Sequence, residues 1–107
     1  MKRLILMNSP VLTAFGKFEF IRISVEEARK IIRDSENVES AIGHSATAEF
    51  MSDLLDYKIE ANRVEFFQTE EDSVLIFRLK KRIGEGQLLN YEEIMKIGYE
   101  LGLLIKY

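Results

Sequence analysis

The feature that most constrains this chain lies at its start. Lys2 to Met7 is a short, nearly continuous apolar run that stops at Asn8-Ser9-Pro10. It falls far short of the ~20 residues needed to span a bilayer. A run of that length without polar alternation reads as a strand buried on both faces. A charged start followed by apolar residues also resembles a secretion signal. Here the run ends at Asn8 and no small-residue cleavage site follows, so it is read as part of the fold.

The rest of the chain supplies the layers around that strand. Asn8 to Gly16 reads as a loop, with the only proline, Pro10, as its breaker. Lys17 to Ile23 is rich in aromatic and β-branched residues and predicts a second strand. Ser24 and Glu27 form a capping box, and Val25, Ala28, Ile31 and Ile32 make the apolar stripe of the helix that follows. The polar stretch Asp34 to Glu39 closes that helix. A second helix is expected over Ser45 to Leu55, with Ala48, Met51, Leu54 and Leu55 inward. Arg63 to Gln68 and Ser73 to Arg82 predict a hairpin across the acidic turn Thr69 to Asp72. Asn90 and Glu93 cap a third helix whose Ile94, Ile97 and Leu101 face the core, with Gly102 as its left-handed stop and Leu103 to Tyr107 as a last strand. The sum is an α/β (mixed α+β) domain over residues 1–107, with about five strands in a mixed sheet and about three helices.

Composition limits the function. The 107 residues carry a net charge of −3, one histidine and no cysteine. Long nucleic acid is bound through many phosphate-neutralising Lys and Arg residues, so it is not an expected partner. A small anion needs only a local positive cluster. With no cysteine there is no disulfide or thiolate site, which suits a reducing cytoplasm. No zinc site of the usual composition, phosphate-cradling glycine loop or dinucleotide glycine fingerprint is present, and no metal or cofactor is expected.

Four features could carry chemistry. His44 stands at the predicted start of a helix, just after Gly43, where free N–H groups and the helix dipole favour a phosphate. A histidine there can pass a proton to a leaving oxygen, though spacing alone also fits an ordinary helix-start residue. Arg78, Lys80 and Arg82 share one face of a strand and could grip phosphate oxygens, or simply keep an edge strand soluble. Glu85 sits between Gly84 and Gly86, and reads as an arginine partner or as a solvated turn residue. Arg63 starts a strand and by itself reads as a surface residue.

Taken in order, these pieces resemble the viral anti-CRISPR ring nucleases. The resemblance rests on Ser40-Ala41-Ile42-Gly43-His44 with Thr47, on Asn62-Arg63-Val64-Glu65, and on Lys81-Arg82-Ile83-Gly84-Glu85-Gly86 followed by Leu88 and Glu92-Glu93. Asn8 after the first strand fits as well. It implies a homodimeric enzyme that binds cyclic tetra-adenylate across its interface and cuts it without a metal, switching off type III CRISPR signalling. It implies that His44 is the catalytic acid, with Arg82 and Glu85 beside it. Asn8, Gly43, Thr47, Arg63 and Arg78 would contact the ligand. Two positions depart from the pattern: Arg78 falls where a relative has glutamine, and Ala46 where it has serine. Read without the resemblance, the chain also fits a non-catalytic viral or phage protein that binds nucleic acid or a cyclic nucleotide.

Overall fold

The computed structural model describes residues 3–8, 12–62, 64, 67–80 and 91–107. It contains β1 (Arg3–Met7), β2 (Phe18–Ile23), α1 (Val25–Asp34), β3 (Asn37–Ser40), α2 (Ser45–Leu55), β4 (Asp72–Leu79), α3 (Tyr91–Ile97) and β5 (Tyr99–Lys106). The five strands form one mixed sheet in the order β2-β5-β4-β1-β3. β1 pairs in parallel with β3 and β4, whereas β5 runs antiparallel between β4 and β2. The expected α/β architecture of five strands and three helices is therefore present.

The two-sided burial of the first strand follows from its place in the sheet. Leu4 and Leu6 point into the main core, together with α1 and α2. Ile5 points the other way and joins Val74, Ile76 and Leu104. Alternation carries this division along every strand. Leu75, Phe77 and Leu101 face the helices, while Arg22, Arg78, Glu100 and Gly102 fall on the opposite face. The capping box of α1 forms as expected: Glu27 N donates to Ser24 Oγ and Ser24 N donates to Glu27 Oε1, both at 3.1 Å. The α2 stripe is buried at all four expected positions, and Phe50 adds a ring against Phe77 and Tyr99.

Several expectations are corrected. Asn37–Ser40 is an edge strand and not only the polar end of a helix. Its single apolar contact, Val38, gives no period-two pattern to see. β4 is not half of a hairpin: Val64, Phe67 and Gln68 are irregular, and β4 pairs with β1 and β5. It is consequently an inner strand and not an edge. The third helix stops at Ile97 and not at Gly102. Gly98 adopts a φ of 89°, a left-handed conformation that glycine accepts without strain. Its N–H donates to the Ile94 carbonyl at 2.9 Å, and Tyr99 starts the strand. Gly102 thus lies in the middle of β5.

The N-terminal end of the parallel strands is clamped by charge. Arg3 donates from Nε and Nη2 to the two oxygens of Asp72 at 2.9 and 3.1 Å, and from Nη1 to Glu39 at 3.0 Å. Asp72, only 4% exposed, also accepts from the backbone N–H and the hydroxyl of Thr69, both at 3.0 Å. Burial pushes this carboxyl up, but the Arg3 and Thr69 hydrogen bonds outweigh it and hold the group below its ordinary value. Nearby, the buried Gln68 donates to the carbonyls of Asp72 and Leu104, fixing the segment that leads into β4.

Candidate functional site

The opposite end of the parallel strands is built differently. β1 leaves the sheet at Met7 and bends at Asn8, which is half-buried. β3 leaves beside it: Ser40 pairs with Leu6, and Ala41 N donates to the Leu6 carbonyl at 2.8 Å. Ile42 then turns into the core, where it is fully buried. That anchor sets the direction of the next two residues, Gly43 and His44, towards the start of α2.

The turn is held from a distant part of the chain. Asn62 N donates to the Ile42 carbonyl at 2.8 Å, and its side-chain amide donates to the Ser40 carbonyl at 2.9 Å. Ser40 Oγ accepts from Ile42 N at 3.3 Å. The motif Asn62-Arg63-Val64-Glu65 is therefore tied, through its first residue, to the motif that contains His44. The sequence motif carries no sign of this role for Asn62, although an asparagine side chain is well suited to bracing a turn in this way.

His44 is the N-cap of α2, as its place before the apolar stripe predicts. Its backbone is extended (φ −129°, ψ 127°), and its carbonyl accepts the first helical hydrogen bond from Ala48 N at 3.1 Å. Its side chain makes no capping bond, and the ring is exposed. The two helix starts differ sharply. α1 is closed by Ser24 and Glu27 and has two acidic residues in its first turn, whereas α2 has neither a side-chain cap nor an acidic residue there. Backbone N–H groups at such a start have no intrahelical acceptor and carry partial positive charge. Thr47, half-buried, lies within that first turn. Asn8, Gly43, His44 and Thr47 thus gather at the carboxyl ends of β1 and β3, where open α/β sheets bind their ligands.

Arg78 stands elsewhere on the same general end. It occupies the face opposite the described helices, near the carboxyl end of β4, and Nη2 donates to Glu100 Oε2 at 3.2 Å. The expected row of three cations is modified accordingly: its first member is engaged by a carboxylate that sequence spacing did not reveal. Lys80 follows just past β4, its stem against Gly98. Arg63, Arg82 and Glu85 lie outside the described residues, as do Pro10, Glu65 and all of residues 81–90, which include the Gly84–Gly86 loop, Leu88 and Asn90. Among the described residues no group of three or more His, Cys, Asp or Glu could hold a metal ion, and no helix is long and apolar enough to cross a membrane.

Comparison with known proteins gives a consistent result. Residues 4–101 match the STIV B116-like family. ORF117 of Acidianus two-tailed virus is 43% identical over 88 residues, covering 80% of this chain and 75% of that protein. Protein 26 of Sulfolobus islandicus filamentous virus is 32% identical over 105 residues, covering 94% of this chain and 88% of that one. YddF of Bacillus subtilis is 31% identical over 101 residues, covering 94% of both. Among solved structures, B116 of Sulfolobus turreted icosahedral virus shares the fold, with a TM-score of 0.76 and 22% identity over 96% of this chain and 98% of that one.

Proposed function

The chain belongs to the STIV B116-like family, one represented in archaeal viruses, and on that premise we propose that it is a metal-independent ring nuclease for cyclic tetra-adenylate. The observation that carries the reading is the placement of His44. It is the exposed N-cap of a helix with no side-chain cap, at the carboxyl ends of two parallel strands, in a turn braced by Asn62. The resemblance of the Ser40–His44, Asn62–Glu65 and Lys81–Gly86 motifs to ring nucleases supplies the substrate class.

The chemistry follows from the ligand. The 2′-hydroxyl of one adenosine attacks the adjacent phosphorus in line, forming the O2′–P bond as the P–O5′ bond breaks. His44, as imidazolium, gives its proton to the departing 5′-oxygen. The nucleophile belongs to the substrate, so no metal is required to generate one. Backbone N–H groups at the start of α2 face developing phosphate charge at no cost of reorganisation. Arg82 would share that charge, and Glu85 would orient the 2′-hydroxyl, whose proton passes to Glu85 or to water as the O2′–P bond forms; both residue roles rest on the resemblance alone. The products are linear di-adenylates ending in a 2′,3′-cyclic phosphate. A homodimer would present two equivalent cuts to the ring across its two-fold axis.

The test is direct. Labelled cyclic tetra-adenylate incubated with the protein should yield linear di-adenylates, also in EDTA. His44→Ala should still bind the ring while cleavage falls about 10²-fold or more, the range of a lost general acid. Full activity in that variant overturns the assignment. Binding without cleavage in the wild type replaces it with a cyclic-nucleotide sensor.

A further inference from the structure

The sheet face opposite the described helices carries a second cluster on strands that do not contribute to the His44 turn. Glu100 of β5 lies between two arginines. Its Oε1 accepts from Arg22 Nη2 at 3.0 Å and its Oε2 from Arg78 Nη2 at 3.2 Å. A guanidinium has five N–H donors, and Glu100 accepts from the Nη2 of each arginine. The two arginine side chains are 76% and 51% exposed, the glutamate 25%. Glu100 therefore bridges two guanidinium groups whose side chains are each more than half exposed.

Beside this bridge lies Gly102, opposite Arg22 on β2 and Ile76 on β4. A Cβ at that position would collide with the Phe20 ring. The ring leans over the missing side chain and remains 52% exposed. Phe20, Arg22, Ile76, Arg78, Glu100 and Gly102 line a recess of about 200 Å³. It is too small for a drug-sized ligand, for which pockets run to about 300–1,000 Å³, but it suits one unit of a longer one.

We propose that this recess is a nucleotide subsite, in which Arg22 and Arg78 take the two free oxygens of a phosphodiester while a base lies on the exposed side of Phe20. Two guanidiniums and one carboxylate sum to a single positive charge. That matches the one charge of a phosphodiester better than the two of a terminal phosphate. Guanidinium forks suit paired phosphate oxygens, and aromatic rings accept any base by stacking. The proposal deepens the ring-nuclease reading and rests on it for the ligand class, since a ring of adenylates offers the same unit several times. Glu100 and Arg22 are positioning and binding residues here, not catalytic ones.

The probe is adenylyl-3′,5′-adenosine, titrated into the isotope-labelled full chain. The amides of Leu101 and Gly102 should shift saturably, and adenosine or inorganic phosphate alone should bind more weakly. Arg22→Ala should weaken binding roughly tenfold or more, as expected for a lost charged hydrogen bond. Glu100→Gln is the sharper variant. If the Glu100 bridge positions the two arginines, binding weakens even though a negative charge has been removed. Tighter binding by Glu100→Gln, unchanged binding by Arg22→Ala, or shifts confined to other strands would overturn the subsite. Both arginines lie largely in solvent, and unchanged melting of the variants confirms that the fold is kept. Ring cleavage separates the two readings. A wild type that binds the dinucleotide as described but never cuts the ring defeats the nuclease alone. One that cuts the ring, while Arg22→Ala binds the dinucleotide unchanged, defeats the subsite alone.

Discussion

The two ends of the parallel strands are opposites. At one end Arg3, Asp72, Glu39 and Thr69 satisfy one another, and the central carboxylate is buried. At the other, a helix begins on an exposed histidine that caps nothing, beside a half-buried asparagine and a turn braced from elsewhere. Both ends use polar residues, so polarity alone does not mark a site. What differs is how the polar groups are used. The closed end ties the starts of β1 and β4 together through Arg3 and Asp72; the other end carries a helix start with no side-chain cap, where the three strands that share one direction finish.

The contrast can be broken by substitution at either end. The largest effect is expected from His44→Ala: a loss of about 10²-fold or more in ring cleavage, with thermal stability unchanged, since the ring is exposed and caps nothing. A large fall in melting temperature would show that the open end is structural after all. Asp72→Asn should do the reverse. It leaves Arg3 without its main partner and should cost about 2–3 kcal/mol in denaturant unfolding, while cleavage by the still-folded fraction is retained.

Acid titration sharpens the same point. The Asp72 carboxyl is held below its ordinary value in the folded state. Its contribution is therefore complete above the ordinary carboxylate range and is lost as pH falls through the depressed folded value. Stability of the wild type should drop across that acid window, and the drop should be shallower in Asp72→Asn. Gly102→Ala should displace the Phe20 ring at a cost of about 1–2 kcal/mol, read by unfolding and by a change in the Phe20 environment. Ser24→Ala, at the self-capped helix, should cost about 1 kcal/mol and leave ring cleavage alone. A change in cleavage there would mean that the two helix starts are not independent.

The sequence was most legible where a single face decides burial. The period of α1 and α2, the Ser24–Glu27 box and the doubly buried first strand could all be read from side-chain spacing. It was least legible where two periods overlap. Ile94, Ile97 and Leu101 fit a helix, yet Tyr99, Leu101 and Leu103 also fit a strand, and the left-handed Gly98 decides between them. β3 hid because a short edge strand with one apolar contact looks like a polar linker. At the site, His44 as N-cap and the exposed Arg78 were both visible as residue types. The partners that define their settings were not: Asn62 is 18 positions from His44 in the numbering, and Glu100 is 22 from Arg78. Only the folded sheet brings such residues together.

The strand order has a consequence for how the molecule is made. β1 lies inside the sheet, but its neighbours are β3 and β4, and Arg3 meets Asp72 across 69 positions of chain. β2 has no strand partner at all until β5 exists, because β5 alone stands between it and β4. A nascent chain leaving the ribosome can therefore pair β1 with β3 early, but the other edge of β1 waits for β4, and β2 waits for β5. The last closure awaits Tyr99–Lys106, so a large part of the loop-closing entropy is met late. Folding should be slow for a domain of this size, largely post-translational, and exposed to aggregation during that interval.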